Sequence, residues 1–355
     1  MKIWQYIVRR LLLLIPVLFG VTLITFTLIQ VSGDPAAIYY TKGMPPQKKA
    51  QIRHEMGLDQ PIAVQYVLYL QRLLRGDLGV SSSQADLPVT ECIKLFFPAT
   101  FELATVSMII TIIFGIPLGI VSAVKKDRFA DHLTRVFALA GSSLPIFWLA
   151  LLLQQVFFYI PYTYGPPNGL PEGWYLPYDG RYTTMLYFTH PVISEGGPTG
   201  FLTIDALLVG DYEVFWDALK HLILPSICLS YASVAIVTRM MRGSMLEVLG
   251  MDYIKSARAK GLDEKTVINK HARRNALIPT TTVIGMSFAG LMTGAVLTET
   301  VFSWPGLGRW STLALLTRDI GGIMGFTLFV CLIVVIANLI VDILYAYLDP
   351  RVRLE

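Results

Sequence analysis

Met245–Pro279, MLEVLGMDYIKSARAKGLDEKTVINKHARRNALIP, is polar and basic, yet an apolar run long enough to cross a bilayer flanks it on each side. Nine Lys/Arg fall between Arg239 and Arg274, accompanied by four acids, Glu247, Asp252, Asp263 and Glu264. Positive residues between membrane spans mark a cytoplasmic loop. The loop also carries helical order. Leu246, Leu249, Tyr253 and Ile254 recur at spacings of three or four, and Ala257 extends the stripe. One amphipathic helix is expected across them. Gly261 is predicted to stop it as a left-handed C-cap. Asp263 is predicted to cap a second helix running towards Pro279. A short helix, a Gly turn and a second helix make a compact docking element.

Composition agrees with a membrane setting. The 355 residues are 54% hydrophobic and 15% charged, with mean hydropathy +0.56, too apolar for an ordinary soluble domain. Cys92, Cys228 and Cys331 are scattered and imply neither a disulfide framework nor a metal site. No basic–aromatic stripe suggests nucleic acid.

Working outward, six apolar runs read as spans: Leu11–Val31, Leu103–Val124, Val136–Ile160, Leu222–Thr238, Ala276–Thr298 and Ile320–Val341. The fold class expected is an all-α membrane protein of six transmembrane helices. A first region, residues 1–97, pairs the first span with a small external domain. That domain includes an amphipathic stretch, Ile62–Leu74, and the turn Gly76-Asp77-Leu78-Gly79. Residues 98–346 hold the core, with a long insertion at 161–218 between spans three and four and the basic loop at 239–275. Residues 347–355 form a tail. The insertion has one basic residue, Arg181, and many aromatics, and is read as an ordered external element. Of 29 Lys/Arg, 18 fall on the side holding both termini and the basic loop, which is therefore the cytoplasmic side. Gly115 and Gly119, and separately Gly290 and Gly294, are spaced for close helix packing. Gln154-Gln155 put amides deep in the third span, where helix-to-helix hydrogen bonding is expected.

At this point the residues carry a resemblance. Asp252-Tyr253-Ile254-Lys255-Ser256-Ala257-Arg258-Ala259-Lys260-Gly261-Leu262 resembles the EAA loop of ATP-binding cassette importer permeases. It takes the form used by the B-type subunits of the dipeptide/oligopeptide (or nickel/oligosaccharide) group. Lys255 and Ser256 stand where the general pattern has Glu and the first Ala; Ala257 and Gly261 are kept. The ordered set Ser32-Gly33-Asp34-Pro35, Gly76-Asp77-Leu78-Gly79, Ser143-Leu144-Pro145-Ile146-Phe147-Trp148, Thr298 to Arg309 and Asp349-Pro350-Arg351 extends the likeness over almost the whole chain. The resemblance implies the type I importer permease fold. It implies a second, homologous permease subunit, two ATPase subunits docked on the coupling loops, and an external solute-binding protein. ATP and Mg would be bound by the ATPases, with no cofactor on this chain. It assigns coupling to Asp252, Tyr253, Ala257, Arg258, Lys260, Gly261 and Leu262. Trp148, Ser287, Met292 and Glu299 are candidates for the translocation pathway, with helix packing the competing role for each. Di- or oligopeptides are the implied substrate, and oligosaccharides the alternative.

The residues also exclude other chemistry. No Gly-x-x-x-x-Gly-Lys-Ser/Thr loop exists to cradle ATP, and no His-Glu-x-x-His or Gly-x-Ser-x-Gly occurs. His54, His132, His190, His221 and His271 are read as lying outside the span interiors, so no metal site is expected. A secondary transporter or an intramembrane enzyme would need ionisable groups within the spans. Glu102, Glu299 and Asp342 stand only at span edges. Transport energy is therefore expected from a partner ATPase.

Overall fold

The computed structural model describes residues 3–31, 34–41, 43–164 and 175–348. Ser32-Gly33, Glu172, Trp174 and Asp349-Pro350-Arg351 lie outside the described residues, as does the tail beyond residue 348. The described residues are mostly helical, with one short antiparallel ladder among them.

Helix α1 (Ile3–Val31) is followed by α2 (Pro46–Glu55) and α3 (Ile62–Leu74). Strands β1 (Val80–Ser81) and β2 (Leu87–Pro88) pair antiparallel, Val80 opposite Pro88. Next come α4 (Val89–Val124), α5 (Phe129–Ser143), α6 (Ile146–Gln154) and, after a widened π-helical turn at Gln155–Tyr159, α7 (Ile160–Tyr164). Helices α8 (Pro191–Ser194) and α9 (Leu202–Val209) lead into α10 (Tyr212–Leu249). Then follow α11 (Asp252–Ala259), α12 (Glu264–Thr266), a second π turn at Val267–Ala272, and α13 (Arg273–Gly294). Helices α14 (Val296–Val301), α15 (Leu307–Leu316) and α16 (Ile320–Leu348) complete the described chain.

Among the described residues six helical segments are long and apolar enough to cross a membrane: Leu11–Val31, Val89–Val124, Ile146–Thr163, Tyr212–Leu249, Glu264–Thr293 and Ile320–Val341. Their outward faces carry exposed Leu12, Ile15, Ile24, Ile113, Leu151 and Ile340. An apolar surface that broad is satisfied by lipid, not water.

The core lies where α4, α10 and α13 meet. Leu103, Met108, Leu222, Leu229, Leu291 and Met292 interlock there. Gly119 sets the spacing of α4 and α10, because a Cβ there would stand 2.6 Å from the Met241 side chain and 2.8 Å from the Thr238 carbonyl. Gly115 does the same against Val237. The expectation for Gly290 differs. A Cβ at Gly290 would meet nothing within 4 Å, and the close approach of α13 to α16 occurs instead at Gly285, against Val341.

The fifth expected span, Ala276–Thr298, is broken near its end, where α13 closes at Gly294 and α14 begins at Val296. Three further boundaries differ from the sequence reading, each for a physical reason. The second span belongs to a helix that starts at Val89, so the division at residue 97 falls inside α4. Val89, Cys92 and Ile93 bury against Leu307 and Trp310 while Glu91 and Lys94 face out, so composition hides the helix. The third span does not run unbroken from Val136. Leu144 is extended, as the residue before a proline prefers, and Pro145 starts a new helix. The fourth helix is much longer than Leu222–Thr238. His221 thus lies within it, buried, with Nδ1 2.9 Å from the Asp217 carbonyl.

Candidate functional site

The basic loop begins where α10 ends. Gly250 closes that helix by donating to the Glu247 carbonyl, and Met251 turns extended. Leu246 and Leu249 therefore belong to α10, and only Asp252–Ala259 form the short amphipathic helix. The single helix expected across Leu246–Ala257 is two, because Gly250 and Met251 break it.

Helix α11 has an inner and an outer face. Ile254 is fully buried and Ala257 nearly so, packed on Met241, Met245 and Val248 of α10 and on Val267, Ala272 and Ala276 further along. Asp252, Tyr253, Lys255, Ser256, Arg258 and Lys260 are exposed. Two ion pairs stiffen the outer face. Lys255 Nζ donates to Asp252 at 2.8 Å. Arg258 holds Glu264 with two bonds, Nε at 3.1 Å and Nη2 at 2.6 Å, bridging the turn between α11 and α12. The Arg258 hydrogen bonds hold the Glu264 carboxyl below its ordinary value. Both groups are substantially exposed, so the pair sets geometry more than stability.

Gly261 ends α11 with φ +80°. Its N–H donates to the Arg258 carbonyl at 2.9 Å, and the Leu262 N–H reaches back to the Ala257 carbonyl at 3.4 Å. These two bonds are the Schellman closure, which needs a left-handed residue at this place. Asp263 then caps α12, accepting from the Thr266 N–H at 3.1 Å. Asn275 of α13 donates to the Tyr253 hydroxyl at 2.7 Å, so the ring is braced from behind while staying exposed. Met251, Tyr253 and Leu262 leave apolar surface exposed within an otherwise charged loop. Charged residues around a few exposed apolar anchors have the composition of a protein-docking face.

A buried ion pair fixes the helices behind this face. Asp131 of α5 is fully buried and accepts Nε and Nη2 of Arg242 on α10 at 2.8 and 2.9 Å. It also accepts from Ser122 Oγ of α4 at 2.6 Å and from the Asp127 N–H at 3.0 Å. The Arg242 bonds hold its carboxyl well below the usual carboxylate range. Nothing in the sequence reading singled out Asp131. Its partner is distant in the chain, and only the packing of α5 on α10 joins them.

At the opposite end the four pathway candidates do not converge. Trp148 on α6 is exposed and Ser287 on α13 is half-buried. Of the four, Met292 alone lines an almost entirely apolar cavity of about 710 Å³ between α4, α13 and α16, with Phe101, Phe288 and Phe329 and with Lys94 also in its lining. Glu299 is fully buried and accepts from Thr100 Oγ1 at 2.6 Å and the Arg309 N–H at 3.0 Å, which ties α14 to α4 and α15. Gln154 donates to the carbonyls of Tyr178 and Val301 at 3.1 and 3.2 Å, so its amide joins the insertion and α14 and does not meet another span. The insertion is anchored by Arg181, which pairs with Glu102 of α4 and lies over the Trp304 ring. Thr203 donates twice to the same Glu102. Among the described residues no three His, Cys, Asp or Glu side chains converge as metal ligands.

Comparison with known proteins follows the same lines. Residues 115–354 match the family described as "Binding-protein-dependent transport system inner membrane component", and residues 3–113 match its N-terminal membrane component. The chain is 44% identical over 349 residues to the dipeptide transport system permease protein DppB of Alkalihalophilus pseudofirmus, covering 98% of this chain and 99% of the relative. It is 42% identical over 353 residues to DppB of Escherichia coli K12, with 98% of each covered. It is 34% identical over 349 residues to the oligopeptide transport system permease protein AppB of Bacillus subtilis, covering 98% and 99%. With six apolar helices, an all-α fold and family matches along nearly its full length, the chain is a multi-pass membrane protein that belongs to the binding-protein-dependent transport system inner membrane component family.

Proposed function

We propose that the chain is the transmembrane permease subunit of an ATP-binding cassette importer for di- or oligopeptides. It would form the pathway with a second, homologous permease, take substrate from an external solute-binding protein, and draw energy from two ATPase subunits. The observation that carries this reading is the two-faced helix α11. Its inner face is buried through Ile254 and Ala257 in the cluster that α10, the π turn at Val267–Ala272 and α13 share, seated chiefly on that turn, and its outer face is exposed. A helix so mounted passes a push from a docked partner directly into the spans. Asp252, Tyr253, Arg258, Lys260 and Leu262 are the docking residues, while Ala257 and Gly261 set the helix's seat and end. ATP binding would draw the ATPases together and tilt the spans outward; hydrolysis would reset them. Peptides are favoured over oligosaccharides because the relatives at 34% to 44% identity are dipeptide and oligopeptide permeases by name.

The test is hydrolysis. The purified chain alone should hydrolyse no ATP. The assembled importer should, and faster with dipeptide-loaded binding protein. Hydrolysis by the partner-free chain would overturn the permease reading. Stimulation by an oligosaccharide in place of a dipeptide would overturn the substrate.

A further inference from the structure

A cavity of about 320 Å³ opens between α4, α5 and α10, at the end of the bundle that carries the basic loop. Arg135, Arg239 and Arg242 line it, together with Ser122, Thr134 and Thr238. We propose that this cavity binds the phosphate headgroup of an anionic phospholipid from the cytoplasmic leaflet. The proposal rests on the orientation read above, with the basic loop inside.

Charge comes first. Three arginines line the cavity, and no Asp or Glu lines it. The one carboxylate bonded to them is Asp131, fully occupied by Arg242, Ser122 and the Asp127 N–H. Arg239 donates Nη1 to neutral acceptors only, the Ala138 carbonyl at 3.0 Å and Ser142 Oγ at 3.1 Å. These contacts aim its fork without neutralising it. Arg135 is exposed at the rim. Arg242 spends Nε and Nη2 on Asp131, so Arg239, fixed in orientation, and Arg135 at the mouth are the uncommitted guanidiniums, and together they suit recognition of a phosphate.

Surroundings choose the source of that phosphate. Helix α5 is amphipathic, with Phe129, Leu133, Val136 and Leu139 exposed on its outer side. Leu139 forms part of the cavity wall itself. The cavity is therefore charged within and bordered by an apolar outer surface, which would take a headgroup and its acyl chain together. A soluble phosphate has no use for the second part. Basic pockets between helices at the cytoplasmic surface are fit for anionic lipid headgroups.

The assembled importer, purified in neutral detergent, is titrated with spin-labelled phosphatidylglycerol and, separately, phosphatidylcholine. Wild type is expected to retain the anionic lipid preferentially. R135Q/R239Q should weaken that binding about 25-fold, or about fivefold for each arginine near an anionic surface. R135K/R239K should keep most of it, which guards against a loss caused by misfolding. K265Q, a charge loss in the coupling loop, should change nothing. Equal retention of both lipids by wild type would overturn the proposal, as would wild-type affinity in R135Q/R239Q. Release of the bound lipid by millimolar inorganic phosphate would assign the site to a soluble anion and overturn the lipid source. An inverted topology would show in sided labelling at Lys265 and leave this titration unchanged, so the two failures are distinct.

Discussion

Gly261 shows how one residue sets where α11 ends, and on the proposed function its aim at a partner. Its φ of +80° is a region that side chains with a Cβ rarely adopt, and β-branched ones least. A Cβ there would meet nothing within 4 Å, so a substitution is penalised by backbone conformation alone. That penalty is roughly 1–2 kcal/mol. It is too small to unfold six packed spans and large enough to break the Schellman closure that ends α11. Gly261→Val should insert and accumulate near normally, yet weaken ATPase co-purification and uptake together. Gly261→Ala should be milder and Gly261→Asn milder still, since Asn tolerates the left-handed region best. Asn ranking worse than Val would point to a side-chain clash with the partner and refute the backbone argument. Gly261 and Asp263 were both legible in the sequence, because capping is local chemistry. Glu264 and Asn275 were not. Their partners, Arg258 and Tyr253, lie across a turn, where helical spacing rules do not apply.

The decisive contact among elements is Asp131–Arg242, which joins α4, α5 and α10 beneath the coupling loop. Removing the carboxylate strands a partly buried guanidinium. Asp131→Ala is therefore expected to cost about 3 kcal/mol, the lower end for a broken buried pair because Arg242 keeps some solvent. Thermal unfolding of the purified protein checks this. The pH dependence follows from sign. The folded-state pKa is depressed, so the stabilisation is complete above the ordinary Asp value and is lost as pH falls through the folded one. The difference between wild type and Asp131→Ala should stay constant from about pH 5 to 8 and narrow only below about pH 4. A gap that closed between pH 6 and 8 would assign the effect to another group. Sequence periodicity gave the elements but not this joint. It also misplaced the start of α11, since Leu246 and Leu249 keep helical register with Tyr253 although Gly250 and Met251 interrupt the backbone. The break at Leu144-Pro145 was present as a motif, but apolarity on both sides made one span of it.

Across the whole molecule, the six spans and the class were legible because lipid imposes length and apolarity on any crossing helix. The tertiary pins were not. Arg181 with Glu102 fastens the insertion to α4, and Asp319 accepting from Ser83 and Gly322 fastens the first region to the turn before α16. Such pairs join distant parts of the chain and leave no local pattern. The charge asymmetry predicts the sidedness, which labelling tests. On a background lacking Cys331, a membrane-impermeant thiol reagent applied to intact cells should label Asp179→Cys and not Lys265→Cys. Labelling of the second would reverse the topology.

Central to the account is that the outer face of α11 meets the ATPase. The most direct measurement is thiol cross-linking in native membranes between Lys260→Cys and a cysteine introduced into the groove of the cognate ATPase. The expected result is a cross-linked permease–ATPase species whose yield changes when ATP is added, while Asp179→Cys gives none. A high yield from Asp179→Cys with none from Lys260→Cys or Ser256→Cys, in a complex that still hydrolyses ATP, would contradict it.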